Sequence, residues 1–207
     1  MRPDPPVPDP RLPDPLVSDP PVPDPLVTVL DAYQPRTRGE ADDLDRVMEL
    51  VATGQPWDRS TALHVTASAM IVHPASEHVL LRWHARQRDW LQVGGHGDPG
   101  EVDPFAIALR EAREETGLDD LVGWPDDRIV HVAIVPVPAA THEPAHEHAD
   151  VRFVLATDQP DRARPENPTA ALRWMTIPDA MTTTANANVR ETLARVEHLL
   201  RGSSWLV

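Results

Sequence analysis

The stretch from Gly94 to Leu118 leaves the chain little conformational freedom. It opens with Gly94-Gly95-His96-Gly97-Asp98-Pro99-Gly100-Glu101, a loop too rich in glycine and proline to continue a helix or an interior strand. Asp103 then stands at a helix N-cap with Pro104 at the first helical position, and Gly117 suits the left-handed residue that closes a helix. The spacing predicts a helix over Pro104 to Thr116, fed through the loop by a short strand at Trp90 to Val93.

On that helix Glu111, Glu114 and Glu115 fall at i, i+3 and i+4, so at ~100° per residue the three carboxylates share one side. Phe105, Ala108, Leu109 and Ala112 make an adjoining apolar face that can lie on a sheet and aim the acidic side at a cleft. Like charges at this spacing repel by a few tenths of a kcal/mol per pair. A hard divalent cation, which prefers oxygen ligands, would offset that repulsion. A solvated acidic helix surface is the plain alternative.

Elsewhere the elements suggest one domain from residue 28 to 207. Leu44, Val47, Met48, Leu50 and Val51 have helical spacing, giving an N-terminal helix between Thr28 and Gly54. His64 to His73 and His78 to His84 read as a hairpin, and further strands are expected at Arg128 to Val137, Asp150 to Thr157 and Ala171 to Met175. A last helix covers Asn188 to Arg201. Residues 3 to 27 are different, being five pentads with Asp4, Asp9, Asp14, Asp19 and Asp24 in register. Proline at this density favours an extended, solvated chain, so residues 1 to 27 are expected to be a disordered tail, an over-called start or a ligand for a proline-reading partner.

The 207 residues carry a formal net charge of −14, which argues against a nucleic-acid binder and suits a cation-dependent site or mere solubility. Cysteine is absent, which excludes disulfides, thiolate metal sites and a cysteine nucleophile. Lysine is absent too, so a Schiff-base lysine is excluded. No apolar run approaches the ~20 residues of a membrane span and no secretory signal is visible, so a cytoplasmic location is expected.

Read together, Gly95, Glu101 and the run Arg110-Glu111-Ala112-Arg113-Glu114-Glu115-Thr116-Gly117-Leu118 closely resemble the Nudix box, G-x5-E-x7-R-E-U-x-E-E-x-G-U, where U is bulky and aliphatic. Two departures occur. The spacer from Glu101 to Arg110 has eight residues, one more than the signature, and the first U is the small Ala112. The extra residue precedes the helix, so it bears on where Glu101 sits. The segment Ala171 to Ala180 (ALRWMTIPDA) is also similar to a late strand-Trp-turn segment of Nudix domains.

The resemblance implies an α/β fold, an α/β/α sandwich around a mixed sheet, and a Mg²⁺-dependent hydrolase, with Mn²⁺ as an alternative metal. Its reaction is attack of water on a phosphorus of a nucleoside diphosphate linked to another moiety. It makes Glu114 and Glu115 metal ligands, Glu111 a third ligand or the group orienting the water, and Arg110 their anchor. Gly95 would offer its carbonyl to the metal and Glu101 would fix the loop. Gly94 and His96 are further loop candidates, and Glu147 or Asp150 could complete the metal shell or act as base. A homodimer is a fair expectation. The competing reading is a non-catalytic nucleotide-sensing module, against which the intact glutamates speak; an isomerase of allylic diphosphates would need a cysteine.

Side features remain open. His142, His146 and His148 with Glu143, Glu147 and Asp150 could bind a transition metal or form a polar loop. Trp83, Trp90, Trp124 and Trp174 could stack on a base or fill the core. Arg82, Arg86 and Arg88 could bind an anion or face solvent.

Overall fold

The computed structural model of the protein describes residues 24–140 and 143–202. The chain runs α1 (Pro25–Asp31), α2 (Arg38–Ala52), β1 (Leu63–His73), β2 (His78–His84), β3 (Asp89–Leu91), β4 (Val93–Gly95), α3 (Pro104–Thr116), β5 (Val122–Gly123), β6 (His131–Val137), β7 (His146–Ala156), β8 (Leu172–Thr176), α4 (Ile177–Thr183) and α5 (Ala187–Leu200).

Among the described residues all eight strands belong to one mixed sheet. β1 is its centre, paired in parallel with β7 from Leu63↔Glu147 to Val72↔Ala156. Its other edge is shared by β2, through Ile71↔Leu80, and β4, through Ala67↔Gly95. β8 lies beyond β2, and β6 lies beyond β7. The expected hairpin is therefore present, and the strand feeding the glycine loop hydrogen-bonds to the central strand.

Period-two alternation along β1 and β7 separates two apolar layers. Val65, Ala67, Ala69 and Ile71 face one layer, where Leu26 of α1, Val47 of α2 and Ile107, Ala108 and Ala112 of α3 are buried. Met70 and Val72 face the other, with Ala180 of α4 and Val189, Leu193 and Val196 of α5. The result is an α/β/α sandwich. Toward the start of β1 the second face turns polar, with Thr66 and Ser68 in line with Met70, and there the sheet opens into a cavity.

Several boundaries differ from those the sequence suggests. Of the proline-rich stretch, residues 1–23 lie outside the described residues, while Pro25 to Val27 open α1 and Leu26 is completely buried. The Asp24 carboxylate caps the Leu26 N–H at 2.8 Å. Every pentad offers the same Asp-Pro start, and after the last of them Leu26 and Leu30 reach the core. The N-terminal helix is two helices, broken before Thr37, which caps α2. β7 begins at His146 instead of Asp150, β6 begins at His131 instead of Arg128, and the short β5 and α4 are additional.

Candidate active site

The box helix α3 starts and stops where its caps dictate. The Asp103 carboxylate accepts from the N–H groups of Phe105 (2.9 Å) and Ala106 (3.3 Å). Gly117 ends the helix at φ 65°, its N–H donating to the Arg113 carbonyl. Ile107, Ala108 and Ala112 have no exposure. With that stripe fixed on β1 and β4, the acidic side is held against the glycine loop.

Arg110 is the hub of this side. Its guanidinium donates to both carboxylate oxygens of Glu101 (2.9–3.2 Å), to Glu111 (3.1 Å), to Glu114 (3.0 Å) and to the His96 carbonyl (2.9 Å). These bonds, Glu101's first among them, raise the pKa of Arg110, and Arg110 in turn lowers that of Glu101. Despite the longer spacer Glu101 stays bonded to Arg110, and the helix begins only at Pro104.

Two glycines let the loop backbone meet the carboxylates. A Cβ at Gly95 would lie 2.7 Å from Glu111 Oε1, and Gly94 (φ 146°) runs so close to β1 that a Cβ would strike Ser68 at 2.4 Å. The Gly94 N–H donates to Glu115 Oε2 at 3.1 Å, and Arg82 holds the other oxygen at 3.2 Å. Glu114 points outward and is half exposed, whereas Glu115 is buried. Burial pushes the Glu115 carboxyl up to about 7, only partly countered by Arg82. Burial also raises Glu111.

Beside the loop lies a cavity of about 230 Å³, lined by Gly94, Gly95 and His96 and, from the sheet, by Thr66, Ser68 and Asp150. Asp150 is buried and accepts from Thr66 (3.0 Å), Ser68 (2.8 Å), Gln92 (3.2 Å) and Arg152 (2.8 Å). Burial alone would raise its pKa, but these donors and the Arg152 charge lower it. A carboxylate so fully engaged is better suited to fixing the cavity floor than to taking a proton. Glu147 lies on the opposite face of β7 and pairs with Arg46 of α2 at 2.5 Å, so the structure does not bring it to the cavity. The contributions of Thr66, Ser68, Gln92 and Arg152 escape sequence reasoning, because polar residues alternating in a strand look like a solvated face.

His96 is half-buried and lines the cavity. Its ring stacks on His64 and meets His148 edge-on. Burial, reinforced by neighbouring charges, lowers His96 to about 3, and burial, partly countered by the Asp150 and Glu143 carboxylates, lowers His148 to about 4. His142 lies outside the described residues. Arg82, expected at an anion or in solvent, is spent on Glu115 and Glu166, and Arg86 pairs with Glu143 and the Pro138 carbonyl. Arg88 occupies a turn at φ 52°. Trp83 and Trp90 pack edge to face, Trp124 lies against the second core layer, and Trp174 donates to the Pro160 carbonyl.

A capped helix carrying three glutamates on one side, laid against a glycine loop on a mixed sheet, defines a class, and comparison with known proteins agrees. The NUDIX domain family model matches residues 62–196. The chain belongs to the Nudix family and is a Nudix-type pyrophosphohydrolase. No curated protein matches it. Among solved structures it is similar to the C. elegans Ap4A hydrolase binary complex, at 21% identity and TM-score 0.52, covering 67% of this chain and 98% of that one. It is also similar to the E. coli dihydroneopterin triphosphate pyrophosphohydrolase, at 19% identity and TM-score 0.50, covering 67% and 96%. At these identities the similarity speaks for the fold. Among the described residues no helix is long and apolar enough to cross a membrane.

Proposed function

We propose that this chain is a Mg²⁺-dependent hydrolase that cuts the phosphoanhydride bond of a nucleoside diphosphate linked to a further moiety. The observation that carries the reading is the convergence of Glu111 and Glu115 on the Gly94-Gly95 backbone, which also lines the polar cavity. The donors fit the metal. Carboxylates of Glu111, Glu114 and Glu115 and the Gly95 carbonyl are hard oxygen donors, and the absence of a Cβ at Gly95 lets the Glu111 carboxylate approach the loop backbone. Mn²⁺ suits the same donors.

When bound, the metal would supply charge neutralisation at the phosphates and a lowered pKa for the attacking water. The residues do the rest. Glu114 and Glu115 would hold the cation, and Glu111, raised by burial, is suited to orienting water and accepting its proton. Arg110 fixes the relative positions of Glu101, Glu111 and Glu114, so alignment does not have to be established at each turnover. The cavity, walled by Thr66, Ser68, Gln92 and Asn188, would receive the nucleotide portion. An Ap4A hydrolase and a dihydroneopterin triphosphate pyrophosphohydrolase share the fold, which supports a nucleotide-type substrate.

The test is release of phosphate-containing products from a panel of nucleoside diphosphate derivatives, with Mg²⁺ and with chelator. Turnover that needs the metal and disappears in Glu114→Gln and Glu115→Gln is expected. Tight binding without turnover, equal in wild type and variants, would make the chain a nucleotide sensor instead.

A further inference from the structure

Four histidines from three separate segments meet beside the box loop. His64 opens β1, His148 is its partner in the parallel β7 register, and His146 lies two residues earlier on the same face of β7. β4 pairs Gly95 with Ala67, which carries His96 toward the His64 end of β1. The ring centroids of His64 lie 5.0 to 5.2 Å from those of the other three, and those of His148 lie 4.8 Å from His96 and 5.0 Å from His146. The Nε2 atoms of His64 and His96 are 3.0 Å apart, and those of His146 and His148 are 3.1 Å apart.

Hydrogen-bond chemistry fixes what two of these rings present. His64 Nδ1 lies 3.2 Å from the Thr61 carbonyl and His146 Nδ1 lies 3.0 Å from the Pro144 carbonyl. A carbonyl only accepts, so each Nδ1 carries a hydrogen and Nε2 is the nitrogen left to bind a cation. A backbone carbonyl on the far nitrogen is also how metal-ligating histidines are usually held. The ligand atoms of His64, His146 and His148 all lie within 4.8 Å of one another. Donors around a cation at Zn–N distances of about 2.0–2.1 Å would stand roughly 3.3 Å apart, close to the 3.1 Å between the Nε2 atoms of His146 and His148.

We propose that His64, His146 and His148 form a nitrogen-ligand site for a borderline transition cation of the Zn²⁺ class, with His96 beside it on the box loop. Imidazole selects such ions, whereas the box glutamates offer oxygen to a hard one. Glu143, with a carboxylate oxygen 3.6 Å from His146 Nε2, adds negative charge nearby. The site would adjoin the loop that carries Gly95, where the His96 carbonyl is also an acceptor for Arg110.

Full-length protein stripped with chelator would be titrated with Co²⁺, followed by its visible absorption, and with Zn²⁺ by calorimetry. One equivalent with nitrogen-ligand absorption is expected, retained in Glu114→Gln and Glu115→Gln. His148→Gln and, separately, His146→Gln at the start of β7 should weaken Zn²⁺ more than about 10-fold, the lower range for loss of an outer partner alone. Circular dichroism checks each variant's fold. Wild type that takes up no stoichiometric Co²⁺ overturns the site without recourse to any variant. Binding that survives both histidine changes but is lost in Glu114→Gln overturns it too, placing the cation on the box glutamates.

Discussion

Gly95 and Glu111 are in such close contact that a single added carbon at position 95 would stand 2.7 Å from the Glu111 carboxylate oxygen. That is well inside van der Waals distance, and the same oxygen already accepts from Arg110 at 3.1 Å. Gly95→Ala should therefore leave the fold intact while moving Glu111 off its position. A displacement of about 1 Å can cost about 100-fold in rate, so kcat should fall by that order. Steady-state kinetics beside circular dichroism would check it, and an alanine variant with unimpaired kcat would show that Glu111 does not need this contact.

Arg110 reaches Glu101, Glu111, Glu114 and the His96 carbonyl with one planar fork. An ammonium has three donors and no such plane, so Arg110→Lys keeps the charge but not the geometry. Half-saturating Mg²⁺ should rise and kcat should fall, each by about 10- to 100-fold, as when the outer partners of metal ligands are lost. A Mg²⁺ titration of activity reads both.

The box helix was legible from the sequence because its signals are local. Asp103, Pro104 and Gly117 act within one turn of their own positions, and the i, i+3, i+4 spacing of the glutamates needs only helical geometry. What could not be read depends on strand pairing. Nothing near Thr66 or Ser68 announces that Asp150, more than eighty residues later, will lie across from them in a parallel register. The same holds for His64, whose partners His96 and His148 come from a loop and a distant strand. The histidine-rich run around residue 146 reads as a loop because charged and polar residues alternate there, although that alternation is also what a strand requires.

Glu115 gives a pH-dependent prediction for the metal-free protein. Its folded-state pKa is raised by burial to about 7 from the ordinary 4.5, so the folded protein favours the protonated form. The sign is therefore the reverse of an ion-paired carboxylate, with stability lost as pH rises from about 4.5 through about 7 and the penalty complete above that. Glu115→Gln should raise the Tm at pH 8 in chelator, by about 2–4 °C for each kcal/mol relieved, with little change at pH 4. Calorimetry at the two pH values decides it. A Tm unchanged or lowered at pH 8 would mean that the ionised carboxylate is not under strain.

At the open edge of the sheet, Glu40 of α2 and Arg195 of α5 form a buried pair that joins the helices of the two layers. Arg195 donates to Glu40 Oε1 at 2.6 Å and Oε2 at 2.9 Å and also to the Val130 carbonyl, while Tyr33 and the Arg36 N–H complete the carboxylate. Burial by itself would raise the Glu40 pKa, but these donors hold it at about 2. A depressed carboxylate contributes its full stability above the ordinary value of 4.5 and loses it as pH falls toward about 2. Arg195→Met should cost about 3–5 kcal/mol at pH 7 by leaving Glu40 buried without its cation. Arg195→Met with Glu40→Leu should recover much of that, because a buried ion pair replaced by apolar groups is often close to neutral. Urea unfolding at pH 7 and pH 3 provides the check. The gap between wild type and Arg195→Met should narrow at pH 3, where the unpaired carboxylate takes up a proton, whereas a constant gap would assign the loss to Arg195's packing.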